Sequence, residues 1–368
     1  MKVLITGADG FVGKNLVAHL SERDDIDVFK FTRANSINQL NDWLPQVDFI
    51  FHLAGVNRPL DPVEFETGNV DFTRTLCEAI AATGNPIPVL YTSSSQAELD
   101  NPYGVSKYGA ERALLRLASI SGSKVHLLRL PNVFGKWARP NYNSVVATFC
   151  HNVARGLPIQ INDPSAKVTL VYIDDVIAHF VEAMDGKVAG DSAIAVQPQY
   201  TITVGQLADQ LAVFRDSRTT LVTDTVGIGL TRALYATYIS YLPPERFSYQ
   251  VPKYSDPRGV FVEMLKTRDS GQFSFFTAHP GITRGGHYHH SKTEKFLVIR
   301  GKARFGFRHI VTGESFELCT SGETPEIVET VPGWTHDITN IGEGEMIVML
   351  WANEIFDRAR PDTYACPV

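Results

Sequence analysis

Four side chains in the last third of the chain have the types and spacing of a metal site. His287 and His289 are two residues apart, so on a β-strand both point to one face, with Tyr288 and His290 on the other. Ser291 to Thr293 can turn the chain and bring Glu294 back on a neighbouring strand, while His336 follows Pro332-Gly333 on a more distant hairpin, with Asn340 behind it. Three imidazoles and a carboxylate suit zinc or another borderline divalent ion. Such an ion can serve as a Lewis acid beside a carbonyl. With four protein ligands it can equally close a shell and only hold strands together.

A second set of chemical residues lies in the first third. Met1 to Thr6 is an apolar strand that runs into Gly7, Gly10 and Gly13, and a helix is expected from Lys14 to Leu20. A glycine turn before a helix lets the backbone approach a pyrophosphate, to which the helix presents N–H groups and its positive end. Gly7, Gly10, Phe11, Val12 and Gly13 are therefore candidate cofactor contacts. The second strand, Asp27 to Phe31, ends at Thr32-Arg33, where an NAD-binding unit would carry a carboxylate for the ribose. Arg33 stands there instead and can pair with a 2′-phosphate, so NADPH is the expected cofactor. A third apolar run, Val47 to Gly55, ends in Leu53 and Ala54, which can lie against that cofactor.

Tyr103 and Lys107 are four apart, one turn along a helix. An ammonium beside a phenol lowers the phenol's pKa, and the pair can protonate a carbonyl oxygen as hydride reaches its carbon. A hydroxyl from the preceding run Ser93-Ser94-Ser95 would polarise the same oxygen.

These residues need scaffolds of two kinds. Strand and helix alternate to about Phe180, helices are expected over Thr203–Phe214 and Gly229–Tyr241, and short alternating strands such as Phe296–Ile299 and Met346–Trp351 fill the chain from Val260 onward. The change from α/β to all-β places a boundary near residues 243–250, giving domains 1–245 and 246–368. A chain of 368 residues accommodates both. The net charge of −6 and the absence of a Lys/Arg block argue against nucleic-acid binding. With no leader, membrane-length apolar run or lipidation motif and four scattered cysteines, the expectation is a cytoplasmic protein with reduced thiols.

The glycine turn, serine run and Tyr103-x3-Lys107 resemble the extended short-chain dehydrogenase/reductase family. That resemblance implies a Rossmann-type doubly wound parallel sheet with a small substrate subdomain, and Ser94 as the catalytic hydroxyl beside Tyr103 and Lys107. Arg129 to Gly135 resembles the stretch leading to a sugar-nucleotide pocket, with Asn132 near the diphosphate; Lys136, Arg139 and Asn143 are further candidate substrate contacts. Val171 to Val176 resembles a later stretch whose carboxylates, Asp174 and Asp175, cap a helix. The spacing G-x5-H-x-H-x4-E-x6-G followed by P-G-x2-H-x3-N resembles the cupin β-barrels, except that Pro332 directly precedes Gly333.

The two together, with Pro140–Cys150, Tyr238–Pro243 and Asn353–Asp357, resemble the bifunctional capsular polysaccharide enzymes that fuse such a reductase to a cupin. The resemblance implies a homodimer making UDP-N-acetyl-L-fucosamine. Its cupin would epimerise C3 of a UDP-2-acetamido-2,6-dideoxy-4-hexulose, and its reductase would reduce C4 with NADPH. Three alternatives stand beside it: another nucleotide 4-keto sugar, for example dTDP-linked; a reductase carrying a non-catalytic binding or dimerisation cupin; or a cofactor-dependent sensor. Tyr288, His290, Lys295 and Arg308 are the candidate acid and base of the cupin.

Overall fold

The computed structural model of the chain describes residues 1–188, 195–251, 253–256, 259–262, 265–267, 271–354 and 359–368. Residues 355–357 of the stretch Asn353–Asp357 therefore lie outside the described residues. Cα packing separates two compact units, Met1–Ser144 with Val168–Thr201, and Val145–Lys167 with Ile202–Val368. The first is α/β and the second carries an all-β barrel with helices.

In the first unit β1 (Lys2–Thr6), β2 (Asp27–Phe31), β3 (Phe49–His52), β4 (Val89–Ser94) and β5 (Val125–Leu130) form one parallel sheet in the order β2-β1-β3-β4-β5. Both faces of a parallel sheet are covered by crossover helices, which is why Val3–Ile5 of β1 and Phe49–Phe51 of β3 are continuous apolar runs rather than alternating. Val3, Leu4, Ile5, Ile50 and Phe51 retain no exposed surface. The order in which successive strands are added reverses between β1 and β3, and ligands of such sheets bind at the carboxyl ends of the strands flanking that point. Gly7 follows β1 there and Leu53 follows β3.

The helices of this unit start where their caps dictate. α1 (Phe11–Leu20) begins three residues before the expected Lys14, because the Lys14 N–H already bonds to the Gly10 carbonyl at 2.9 Å. In α2 (Ile37–Trp43) Ser36 and Gln39 form a capping box just beyond Arg33. α3 (Phe72–Ala82) covers the sheet with Leu76, Cys77 and Ile80. α4 (Pro102–Ser121) starts at Asn101, whose side chain accepts from Gly104 N at 2.9 Å, and stops at left-handed Gly122 (φ 74°). Tyr103 and Lys107 thus occupy its first two turns.

In the second unit α5 (Val145–Arg155), α6 (Val204–Thr220) and α7 (Gly229–Ser240) pack together, with Arg155 donating to the Tyr241 carbonyl at 2.9 Å. The barrel consists of β6 (Ser248–Gln250), β7 (Gln272–Ala278), β8 (Thr283–Tyr288), β9 (Glu294–Arg300), β10 (Lys302–His309), β11 (Ser315–Ser321), β12 (Glu326–Glu329), β13 (Trp334–Asn340), β14 (Met346–Ala352) and β15 (Tyr364–Ala365). They form two five-stranded sheets, β6-β12-β9-β14-β7 and β11-β10-β13-β8-β15. Aromatic rings fill the space between, Phe247 meeting Trp334 edge-on at 5.1 Å and Phe296 meeting Phe305 at 5.7 Å.

The expected boundary at 245/246 falls inside this unit. Arg218 of α6 pairs with the buried carboxylate of Glu329 on β12, which also receives the fully buried ammonium of Lys295 on β9. Three charges without water are tolerated only when paired and hydrogen-bonded, and Tyr249 completes the group at 3.1 Å from Lys295 Nζ. This network ties α6 to the barrel. All four cysteines are unpaired. Among the described residues no helix is long and apolar enough to cross a membrane.

Candidate functional site

The glycines after β1 are required by packing. Gly7 has φ 71° and donates to the Phe31 carbonyl at 2.9 Å; a Cβ there would lie 2.8 Å from the Ala54 backbone. A Cβ on Gly13 would lie 2.2 Å from the Gly7 carbonyl oxygen. Phe11, Val12 and Gly13 follow Gly10, which has no side chain to cap α1, so the helix start opens toward a cavity of about 610 Å³. Gly7, Gly10, Leu53, Ser94, Tyr103 and Lys107 line the same cavity. Ala54 does not; its N–H bonds to Thr6 Oγ1 at 3.2 Å and its backbone supports Gly7. Arg33 is exposed just past the carboxyl end of β2 and is also not part of the lining.

Three adjacent serines are given three different environments. Ser93 donates to the buried Glu111, which Arg129 also holds at 2.9 and 2.7 Å. Ser95 is exposed. Ser94 accepts from Gln96 N at 3.1 Å and is hydrogen-bonded to Tyr103. The expected lowering of the Tyr103 pKa by Lys107 is not what the structure shows. Burial pushes the phenol above its usual range and the Ser94 hydrogen bond only partly opposes it, while Lys107 turns its ammonium to Tyr91 Oη at 3.1 Å and the Thr92 carbonyl at 2.8 Å. Burial brings Lys107 down to about 8.

Of the candidate substrate contacts, Asn132, Arg139 and Asn143 line the cavity. Asn132 donates to the Thr169 carbonyl at 3.1 Å, Asn143 accepts from Arg58 Nε at 3.1 Å, and Arg139 lies over the Tyr142 ring at 5.2 Å. Lys136 is a correction. It is 1% exposed, bonds to Asp174 Oδ1 at 2.7 Å, and does not line the cavity. Asp174 thereby serves both the first turn of the helix Ile173–Met184 and this ion pair.

In the barrel His287, His289, Glu294 and His336 each offer a ligand atom within 4.8 Å of all the others. Strand pairing sets His287 of β8 opposite His336 of β13, and a bulge between Gly285 and His287 turns the strand there. His289 lies just past β8 and Glu294 opens β9. Glu294 Oε2 is 3.2 Å from His289 Nε2 and 3.5 Å from His336 Nε2. Burial alone would raise the Glu294 pKa, but His289, His336 and Lys292 outweigh it and hold it well below the usual range. Burial pushes His287 down to about 4 and His336 down as well.

The donor set fits a divalent ion. His289 Nδ1 donates to the Asp362 carbonyl at 2.6 Å, which turns its Nε2 toward Glu294, and the Nε2 atoms of His289 and His336 converge on the same Glu294 oxygen as the ligand atoms of one ion would. The cluster opens on a cavity of about 180 Å³ walled by Phe276, Phe296, Phe305 and Leu350, with Arg284 and Asp337 as its other polar groups. None of Tyr288, His290, Lys295 and Arg308 lines it. Lys295 is held by Glu329, Arg308 by the Pro367 carbonyl, and Tyr288 and His290 by the ring of Tyr364 at 5.6 and 5.0 Å.

Residues 3–197 match the model of the NAD dependent epimerase/dehydratase family, and residues 254–364 that of the polysaccharide biosynthesis C-terminal domain. Over all 368 residues, and 99% of the relative, the chain is 65% identical to the UDP-2-acetamido-2,6-beta-L-arabino-hexul-4-ose reductase of Pseudomonas aeruginosa. It also matches the crystal structure of the capsular polysaccharide assembling protein CapF from Staphylococcus aureus with 42% identity, a TM-score of 0.70 and full coverage of both chains. The chain belongs to the CapF family. With more distant structures it shares only a fold, as with UDP-glucose 4-epimerase of Thermotoga maritima, at 23% identity and a TM-score of 0.52 over 58% of this chain and 82% of that one.

Several residues of this CapF-family chain were not apparent from motifs. Tyr91 and Glu111 take up Lys107 and Ser93, and Asp337 and Arg284 line the barrel cavity. Asp337 directly follows His336 on β13, where strand alternation would point it to the other face, so the pattern does not announce it. Trp137, also in the lining of the larger cavity, has φ 69°, a backbone conformation that nothing in its side chain announces.

Proposed function

We propose that the chain makes a precursor of capsular polysaccharide in two steps on one nucleotide-linked 4-keto sugar, a UDP-2-acetamido-2,6-dideoxy-4-hexulose. The barrel epimerises C3 and the α/β unit then reduces C4 with NADPH, giving UDP-2-acetamido-2,6-dideoxy-L-talose on the way to UDP-N-acetyl-L-fucosamine. The observation that carries this reading is the placement of Ser94, Tyr103 and Lys107 in the cavity that the glycine turn opens. A ketone oxygen at the Tyr103 phenol would be held by the Ser94 hydroxyl and receive the phenolic proton, with Lys107 supplying positive charge from one helical turn away. The glycine turn would hold NADPH, with Arg33 available to pair with its 2′-phosphate, and the cofactor would supply the hydride. The relative that is 65% identical is named for a UDP-linked 4-keto sugar, which favours uridine as the base.

In the barrel, His287, His289, Glu294 and His336 would hold one divalent ion, zinc by the chemistry of the donors, and that ion would supply a Lewis acid. Apolar walls around the cluster exclude water from the sugar. The order of the steps follows from the substrate. The C3 hydrogen is acidic only while C4 is a ketone, so exchange at C3 must precede reduction.

The test is to incubate the protein in heavy water with UDP- and dTDP-linked 4-hexuloses, with and without NADPH, and to follow both carbons by NMR. Deuterium should enter C3 of the UDP-linked ketone without NADPH and should not enter the finished alcohol. Deuterium at C3 only when NADPH is present would refute the order, and preference for the dTDP sugar would refute the substrate.

A further inference from the structure

We infer that Asp362 is a positioning residue for the metal-binding cluster: it clamps the turn between two of the ligands and sets which nitrogen of His289 faces the ion. The inference rests on the reading of that cluster as a metal site. His289 and Glu294 are separated by four residues that must reverse direction while keeping both side chains converged. Backbone N–H groups in such a turn have no strand partner and require an acceptor.

Asp362 supplies it from a segment about seventy residues away in sequence. Its Oδ1 accepts from His290 N at 2.9 Å, and its Oδ2 accepts from Ser291 N at 2.9 Å, Lys292 N at 2.7 Å and Ser291 Oγ at 3.1 Å. Its own carbonyl accepts from His289 Nδ1 at 2.6 Å. An imidazole that donates from Nδ1 to a carbonyl is fixed in orientation and leaves Nε2 as the ligand atom. One residue therefore controls both the turn and the tautomer.

The segment is held firmly. Its backbone takes φ 35° at Asp362, a left-handed conformation that aspartate tolerates better than most residues. The strand that follows pairs with β8, setting Ala365 opposite His287 and Tyr364 opposite Tyr288, and Cys366 N donates to the Gly286 carbonyl at 2.8 Å. Thr363 Oγ1 receives Lys292 Nζ at 3.2 Å, and the same ammonium reaches Glu294 Oε1 at 3.2 Å. The strap is thus joined to three of the four ligands, to His289 by a hydrogen bond, to His287 by strand pairing, and to Glu294 through Lys292.

The experiment measures zinc binding by the full chain in competition with a chromophoric chelator, alongside the visible absorption of the cobalt(II)-loaded protein, for wild type, Asp362→Ala and Asp362→Asn. Asp362→Ala should bind zinc about 10–100-fold more weakly and shift the cobalt band, as losses of supporting groups around metal ligands do. Asp362→Asn, which keeps the shape and folds if the alanine variant does not, should lose affinity by a smaller factor, because its amide can no longer accept on both sides. Thermal unfolding of the metal-free proteins separates a general loss of fold from a change at the site. If wild type binds zinc and the folded variants bind it equally well with the same cobalt spectrum, the role of Asp362 is refuted while the metal site stands. If wild type binds none, both fall.

Discussion

Replacing Ser94 and Ser93 by alanine, one at a time, should damage two different properties. The Ser94 oxygen already accepts the Gln96 N–H, which leaves its hydrogen to point at the Tyr103 oxygen and at whatever oxygen shares that place. A hydrogen bond to a group that becomes charged contributes roughly 1.5–3 kcal/mol, and at 1.36 kcal/mol per tenfold the Ser94→Ala protein should lose about 10–150-fold in kcat for ketone reduction. Ser93 instead donates to Glu111, which is 2% exposed and keeps both of its Arg129 hydrogen bonds when the serine is removed. Ser93→Ala should therefore cost about 1 kcal/mol, seen as a fall in Tm of about 2–4 °C, with kcat within about twofold of wild type. NADPH oxidation followed at saturating sugar, paired with thermal unfolding of both variants, reads both effects. A Ser93→Ala protein that is folded but catalytically crippled, beside an active Ser94→Ala protein, would refute the assignment of the hydroxyl.

Arg33→Asp should lower the ratio of kcat/KM for NADPH over NADH by about 10–100-fold, the range for losing a charge-assisted hydrogen bond, without affecting Tm since Arg33 is exposed; equal use of both cofactors by the unmodified protein would refute the role of this residue. Lys107 gives a pH signature. Its pKa is about 8 in the fold against 10.5 when unfolded, so between those values the unfolded chain binds more protons and stability rises with pH. Relative to Lys107→Met, the wild-type protein should gain about 2–3 kcal/mol in urea unfolding between pH 7 and pH 10. Parallel pH profiles would show that the ammonium is not held in a desolvated site.

The glycine spacing, the apolar strands and the Tyr103-x3-Lys107 pair were legible because each depends on neighbours in sequence: a helix puts residues four apart on one face, and only glycine fits where Gly7 meets Ala54 and Gly13 meets Gly7. The clustering of the candidate metal ligands was legible for a related reason. The register of β8 against β13 brings His287 opposite His336, and no side chain other than the spaced histidines and Glu294 had to be guessed. What was not legible is whatever depends on burial or on distant partners. Lys136 has the appearance of a diphosphate ligand until it is seen to be enclosed with Asp174, and the Tyr103 phenol was expected to be acidified by a lysine that in fact turns to Tyr91 and Thr92.

The same logic distinguishes the two sites. In the α/β unit the candidate catalytic residues sit on the first two turns of one helix and on one strand end, so local sequence carries most of the arrangement, and the three serines are told apart by only two partners, Glu111 and Tyr103. In the barrel the candidate ligands come from three strands and a turn, and their alignment depends on acceptors supplied from far along the chain: Thr330 Oγ1 for the Glu294 N–H, Asn353 Oδ1 for the Thr293 N–H, and Asp362 for the three N–H groups before them. A motif records the ligands because their chemistry is distinctive. It does not record the acceptors, since many polar side chains could satisfy an N–H group and only closure of the barrel determines which of them arrives. Substitutions at these acceptors should therefore be where metal affinity is lost while the histidines and Glu294 remain in place.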